Sequence, residues 1–301
     1  MSSVVYHHKV PPSIESRIIQ FFIGLFGMKR SMERRVDKNS YNKKPASLPK
    51  SIIKKYNIEV ENIGERKVWT ISPRQSGNKN LILYLHGGAF CANITKMHWS
   101  FVEQLLSATN ATLVIPDYPL APESSCTDTY RYLDTIYENL IRNNPDKEIV
   151  FMGDSAGSGL ALGFAVKIKI EDIKQPKQII LFSPWLDVSM TNPEIVNFDP
   201  GDKILNVNGL KKAGKNYAGD LDVTDYRVSP IYGDLSNLGK ISVFIGTKEV
   251  FIADARKLMQ LLKGQNIGFN YFEYQGMFHD WVLVSNLREA RDVINKIANF
   301  L

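Results

Sequence analysis

Eight short apolar or alternating runs recur along the chain. They are YNIEVENI (56–63), RKVWTIS (66–72), LILYL (81–85), ATLVIP (111–116), EIVFM (148–152), QIILFSP (178–184), ISVFIG (241–246) and FNYFEY (269–274). Their lengths and their β-branched and aromatic content predict strands. From Leu81 onward, helix-like stretches separate them: around HWSFVEQLLSAT, TDTYRYLDTIYENLIR, the run after Ser155, IADARKLMQLLKG and the C-terminal REARDVINKIANFL. Strands alternating with helices predict a mostly parallel sheet covered on both faces. The first two runs lack an intervening helix and predict an antiparallel hairpin at one edge.

Two regions break this rhythm. About fifty-five residues separate Trp185 from Ile241 without a clear strand, a length that marks a functional excursion such as a lid. It leaves from a strand end, where open parallel sheets bind ligands. Near the front, NKKPASLPK (Asn42–Lys50) has two prolines and clustered charge, and reads as a linker. Before it lies IIQFFIGLFGM (Ile18–Met28), too short to span a bilayer, which needs about 20 apolar residues. An apolar helix stripe usually faces a core, so packing is the favoured reading. A surface contact with anionic lipid is the alternative.

Composition narrows the classes. The 301 residues are 44% hydrophobic and 23% charged, an ordinary globular balance. The net charge of +6 is local: residues 29–55 hold ten basic and two acidic side chains, giving +8 there and −2 elsewhere. A nucleic-acid-binding domain would spread that charge over a folded face, so no nucleic-acid partner is expected. Cys91 and Cys126 have no CxxC spacing, and the polar N-terminus does not read as a secretory signal. A cytoplasmic location is therefore expected, and no metal site is expected from five histidines without ligand spacing.

The chemistry centres on GDSAG (Gly153–Gly157), which follows a buried strand and opens a helix. That context is the one a nucleophile elbow needs, with Ser155 in a strained turn between small residues. A serine needs a base, and His279 is the sole histidine after Ser155. Glu249, at the end of ISVFIG, is the first choice of orienting acid, with Asp254 and Asp187 as alternatives. The strand Leu81–Leu85 runs into His86, Gly87, Gly88 and Ala89. Backbone amides of Gly87, Gly88 and Ala89, with that of Ala156, are the candidate oxyanion hole. His86 precedes the serine and is expected to hold the loop. Phe90 and Trp185 are candidate pocket residues.

Taken together, HGGAF, DYPLAPE (Asp117–Glu123), GDSAG, EVFIAD (Glu249–Asp254) and GMFHDW, in this order, resemble the hormone-sensitive-lipase-like branch of the α/β-hydrolase esterases. The resemblance spans roughly residues 50 to 301. It implies an α/β-hydrolase fold with a mostly parallel eight-stranded sheet and a helical cap. The cap would comprise residues 1–50 and 186–228, and the core residues 51–185 and 229–301. It implies a serine carboxylic-ester hydrolase acting on small to medium, short-acyl esters through an acyl-enzyme, without a cofactor. Amide or formamide hydrolysis by the same triad is the nearest alternative. A membrane-associated lipase is more distant, as is a ligand-binding relative, which the presence of His279 disfavours. A homo-oligomer is left open. Two residues depart from the family pattern: Ala89 replaces a third glycine, and Glu249 replaces the usual Asp. Neither change removes a required functional group.

Overall fold

A computed structural model describes residues 3–75 and 79–301. All eight expected strands form, as β2 (Tyr56–Ile63), β3 (Arg66–Pro73), β4 (Asn80–Leu85), β5 (Thr112–Pro116), β6 (Glu148–Asp154), β7 (Gln178–Phe182), β8 (Lys240–Gly246) and β9 (Phe269–Tyr274). A ninth, β1 (Val4–His8), lies in a segment expected to belong to the cap; it instead pairs in parallel with β9 and extends the sheet at that edge, so the N-terminal cap segment begins after it. The strand order is β1-β9-β8-β7-β6-β4-β5-β3-β2. β2 and β3 form the expected antiparallel edge hairpin, β3 also pairs antiparallel with β5, and the remaining pairs are parallel.

The helices are α1 (Ile14–Leu25), α2 (Met28–Asp37), α3 (Lys50–Lys55), α4 (Lys96–Thr109), α5 (Cys126–Asn143), α6 (Ala156–Ile170), α7 (Ile195–Phe198), α8 (Val207–Ala218), α9 (Ile252–Gly264) and α10 (Arg288–Ala298). No helix among the described residues is long and apolar enough to cross a membrane.

Strands β4 to β9 are buried on both faces, as their near-continuous apolar runs require, whereas the edge strands β1 and β2 are largely exposed. Side chains alternate along a strand, and β4 shows the consequence. Leu81, Leu83 and Leu85 enter the apolar cluster shared with α5 and α6, while Ile82 and Tyr84 enter the cluster shared with α4 and α10. In β6, Ile149 and Phe151 take the first side and Val150 and Met152 the second.

Parallel register brings the carboxyl ends of neighbouring strands level. Leu85 lies beside Gly153, Asp154 beside Phe182, Phe182 beside Phe244, and Gly246 beside Tyr274. The loops leaving β4, β6, β7, β8 and β9 therefore converge at one rim.

Segments 9–50 and 186–228 meet above that rim. α2 packs on α8, where Asn206 Nδ2 donates to Glu33 Oε2 (3.2 Å) and Lys29 pairs with Asp199 (2.7 Å). Asp202, buried in the same excursion, accepts from the Val250 amide (3.0 Å) and so ties it to the start of α9.

Candidate active site

Ser155 stands where β6 becomes α6, with φ 50° and ψ −120°. Such backbone costs a non-glycine residue about 1–3 kcal/mol and must be held in place. Backbone bonds hold it: the Ser155 amide donates to Phe182 O (2.9 Å), and Ser155 O accepts from the amides of Trp185 (3.1 Å), Ser158 (3.1 Å) and Gly159 (3.3 Å). The turn is tight enough that a Cβ on Gly157 would lie 2.0 Å from Leu85 O, which explains the glycine after Ala156.

The expected partners are brought together. His279 Nε2 lies 3.0 Å from Ser155 Oγ, and His279 Nδ1 lies 2.8 Å from Glu249 Oε2. Glu249 Oε1 accepts from Ser183 Oγ (2.8 Å) and from the Gly246 amide (2.9 Å), so its carboxylate is fixed at both ends. The alternative acids are engaged elsewhere. Asp187 accepts from Ser189 and Tyr232, and Asp254 from Asn192. Burial pushes the Asp254 carboxyl up to about 6.

Asp280, directly after His279 in the chain, does not reach Nδ1, which Glu249 occupies. Instead its Oδ2 lies 3.1 Å from Nε2, the nitrogen that faces Ser155. Asp280 has left-handed backbone (φ 56°), which turns its side chain back over the ring. Burial by itself lowers the His279 pKa. The charge and hydrogen bond of Asp280, with the Glu249 hydrogen bond and charge, outweigh it and hold the imidazole well above its usual range.

The loop after β4 differs from expectation at one glycine. The Gly87 amide donates to Asp154 Oδ2 (2.9 Å), so Gly87 has no free N–H for an oxyanion. Gly88 (φ 124°) and Ala89 (φ 53°) carry the turn, and they line the cavity together with Ser155. A Cβ on Gly88 would lie 2.5 Å from Ala92 O. Ala156 is the first residue of α6, where an amide has no acceptor within its own helix.

Asp154 is a second residue missed from sequence. Its carboxylate accepts from Tyr84 Oη and the Gly87 amide, and lies 3.2 Å from His98 Nε2. His98 Nδ1 in turn accepts from the Thr95 amide (2.9 Å). The oxyanion loop, the elbow and the start of α4 are thus one hydrogen-bonded unit. His86 holds the loop as expected: Nδ1 lies 2.7 Å from Gly87 O, and the ring stacks on Tyr118 at 4.4 Å. Burial, with His98 nearby, lowers its pKa to about 4 and keeps it neutral.

A cavity of about 440 Å³ opens over Ser155. Its walls come from α1 and α2 (Ile19, Ile23, Met32), the excursion (Ile204, Leu205) and the His279 loop (Phe278, Leu283). Phe90 and Trp185 are not among its lining residues, contrary to expectation. Phe90 stacks on Tyr217 at 3.6 Å and on Trp185 at 5.6 Å, and both residues are buried in the core.

The sequence profile of the α/β-hydrolase fold matches residues 82–283. An esterase of Acinetobacter venetianus is 29% identical over 229 residues, covering 75% of this chain and 76% of that protein. An acetyl-hydrolase of Streptomyces hygroscopicus is 27% identical over 214 residues, covering 71% of each chain. The crystal structure of a hormone-sensitive lipase from a metagenome library superposes with a TM-score of 0.79 at 21% identity, covering 95% of this chain and 97% of that one.

Proposed function

The chain belongs to the α/β-hydrolase fold family, and from that premise we propose that it is a serine carboxylic-ester hydrolase working through an acyl-enzyme on small to medium, short-acyl esters. One observation carries the reading: the run Ser155 Oγ, His279 Nε2, His279 Nδ1, Glu249 Oε2 is continuous at 3.0 and 2.8 Å, at the floor of an apolar cavity. The named activities of the esterase and acetyl-hydrolase relatives support the same class of substrate.

In this reading Ser155 Oγ attacks the ester carbonyl and His279 Nε2 takes its proton. The oxyanion that forms is received by the amides of Gly88, Ala89 and Ala156, aided by the positive end of α6. Glu249 orients the ring and stabilises its cation. Asp280 adds a second negative charge beside Nε2. His279 then protonates the departing alcohol, and water, activated by the same nitrogen, releases the acid. Segments 9–50 and 186–228 serve as the cap, whose Ile19, Ile23 and Leu205 form the acyl-side wall.

The test is a rate survey over p-nitrophenyl esters of increasing acyl length, with matched anilides, and with Ser155→Ala as the blank. The proposal expects ester turnover well above the blank, best with short acyl chains. Turnover of anilides in preference to esters, or equal rates with the Ser155→Ala protein, would overturn it.

A further inference from the structure

α1 is amphipathic in the reverse of the usual sense. Its inward side sets two polar residues beside Ile19 and Ile23, and the fully buried positions are the polar ones. Ser16 and Gln20, one turn apart, are buried; Gln20 Nε2 donates to Ser16 Oγ (3.1 Å) and to Gly276 O (3.1 Å). At its start, Ser13 caps the Ser16 amide (3.3 Å) and binds Glu289 through its hydroxyl (2.9 Å) and amide (2.7 Å). Hydrogen bonds seat this helix on the sheet domain. Ile19 and Ile23 turn toward the cavity.

The outward side is apolar. Ile14, Ile18, Phe21, Phe22, Leu25 and Phe26 are all exposed, Phe26 and Ile14 to more than 70%. The expectation that Ile18–Met28 packs its apolar stripe on the core holds only for Ile19 and Ile23, which pack against an apolar cluster; the rest of the stripe is exposed. Singly exposed apolar residues are ordinary, but a contiguous set on one helix marks an interaction surface. α2 continues directly from it, with Arg30, Arg34 and Arg35 exposed. Exposed Met28 and Arg35, on the same stretch of chain, also line the cavity, so the surface that carries the apolar and basic side chains adjoins it.

Charge selects the occupant. A second copy docked face to face by a two-fold axis would bring two such basic segments together. A phospholipid surface with negative headgroups instead satisfies both features, taking up the phenylalanines and attracting the arginines. We propose that α1 and the start of α2 dock the protein on an anionic phospholipid bilayer, with the cavity mouth turned to the lipid. The orientation of the mouth gains meaning from the ester-hydrolase reading; the binding itself does not depend on it.

The test uses the full-length protein and vesicles of phosphatidylcholine with or without phosphatidylglycerol. Co-sedimentation is expected with the anionic vesicles, weakening as salt rises. Phe21→Ser/Leu25→Ser/Phe26→Ser should reduce the bound fraction at least about tenfold. Arg30→Ser/Arg34→Ser should erase the preference for anionic vesicles. Both variants should retain the wild-type circular dichroism spectrum and hydrolyse soluble p-nitrophenyl butyrate within about twofold of wild type, since the altered side chains lie outside the cavity. Binding is also measured on Ser155→Ala protein, so a failed ester assay and a failed membrane assay are separate results. Absence of binding at low salt, equal binding to both vesicle types, or a wild-type dimer that the triple variant converts to monomer would overturn the proposal.

Discussion

Replacing Glu249 by Gln keeps the shape of the side chain and removes only its charge and one acceptor oxygen. The amide then has two orientations. With its NH2 at the Oε1 position, it faces the Gly246 N–H that now donates at 2.9 Å, donor against donor, beside Ser183 Oγ. A buried N–H left without an acceptor costs about 1–3 kcal/mol, so this orientation is disfavoured by about 5- to 150-fold. With its NH2 at the Oε2 position, it donates to His279 Nδ1 at the distance now bridged at 2.8 Å. Nδ1 must then be an acceptor, the proton sits on Nε2, and Nε2 cannot take the proton of Ser155. The surroundings of Glu249 thus force the unproductive tautomer. An amide at the orienting position of a serine triad lowers kcat by about 10⁴, or ~5.5 kcal/mol at ~1.36 kcal/mol per decade. Steady-state kinetics with p-nitrophenyl butyrate would measure this, with thermal melts to show an intact fold. Glu249→Ala, which imposes no tautomer, should be no worse than Glu249→Gln. A Glu249→Gln enzyme within tenfold of wild type would refute the reasoning, as would full inactivation by Asp187→Asn or Asp254→Asn with Glu249→Gln active.

Asp280→Asn should move the acid limb of the kcat/KM profile to lower pH, because the His279 pKa is raised in part by Asp280 and the base must be neutral to act. The sign for stability is the reverse. The pairing stabilises the fold below the unfolded histidine value of about 6.5 and is lost as pH rises through the folded value, so Asp280→Asn should lower the melting temperature chiefly on the acid side; a limb that stays put or moves up would contradict this. Ala89→Gly should retain activity and melt no lower than wild type, because relieving a φ of 53° offsets the added chain entropy; kinetics and calorimetry check it. Phe90→Ala should cost about 3–5 kcal/mol of stability with little change in acyl preference, since Phe90 packs on Tyr217 and not in the cavity; urea unfolding and the ester survey separate the two effects.

What could be read from the chain follows physical lines. Buried parallel strands are nearly continuous apolar runs, so β4 through β9 were legible, and with them the rim that carries Ser155, Glu249 and His279. β1 is not legible because Val4–His8 (VVYHH) is a short, largely exposed edge strand whose partner, β9, lies at the far end of the chain. The inversion of α1 was hidden for a related reason. Periodicity reports that a helix has an apolar face, but the bonds of Ser16, Gln20 and Ser13 decide which face turns inward. Asp154 sat inside the quoted GDSAG motif, and His98 within a helix; their meeting depends on α4 folding back over β6. The place of Asp280 is not legible in the chain, because a left-handed backbone delivers its carboxylate to Nε2. Phe90 was misplaced because an aromatic residue beside an oxyanion loop can face either the cavity or the core.

If Ser155 is the nucleophile, a reagent that bonds covalently to activated serines will mark it. An aryl phosphonate, left to react to completion and mapped by peptide mass spectrometry, should add one group per chain on the peptide holding Ser155, with loss of ester turnover in step. Ser158, three residues on, is the natural control: its hydroxyl donates to Gly153 O and receives the Phe182 amide, so it has no freedom to attack. The account predicts a single adduct on Ser155, absent from Ser155→Ala and slowed in Glu249→Gln. An adduct on Ser158 or another residue, or full inactivation with Ser155 unmodified, would contradict it.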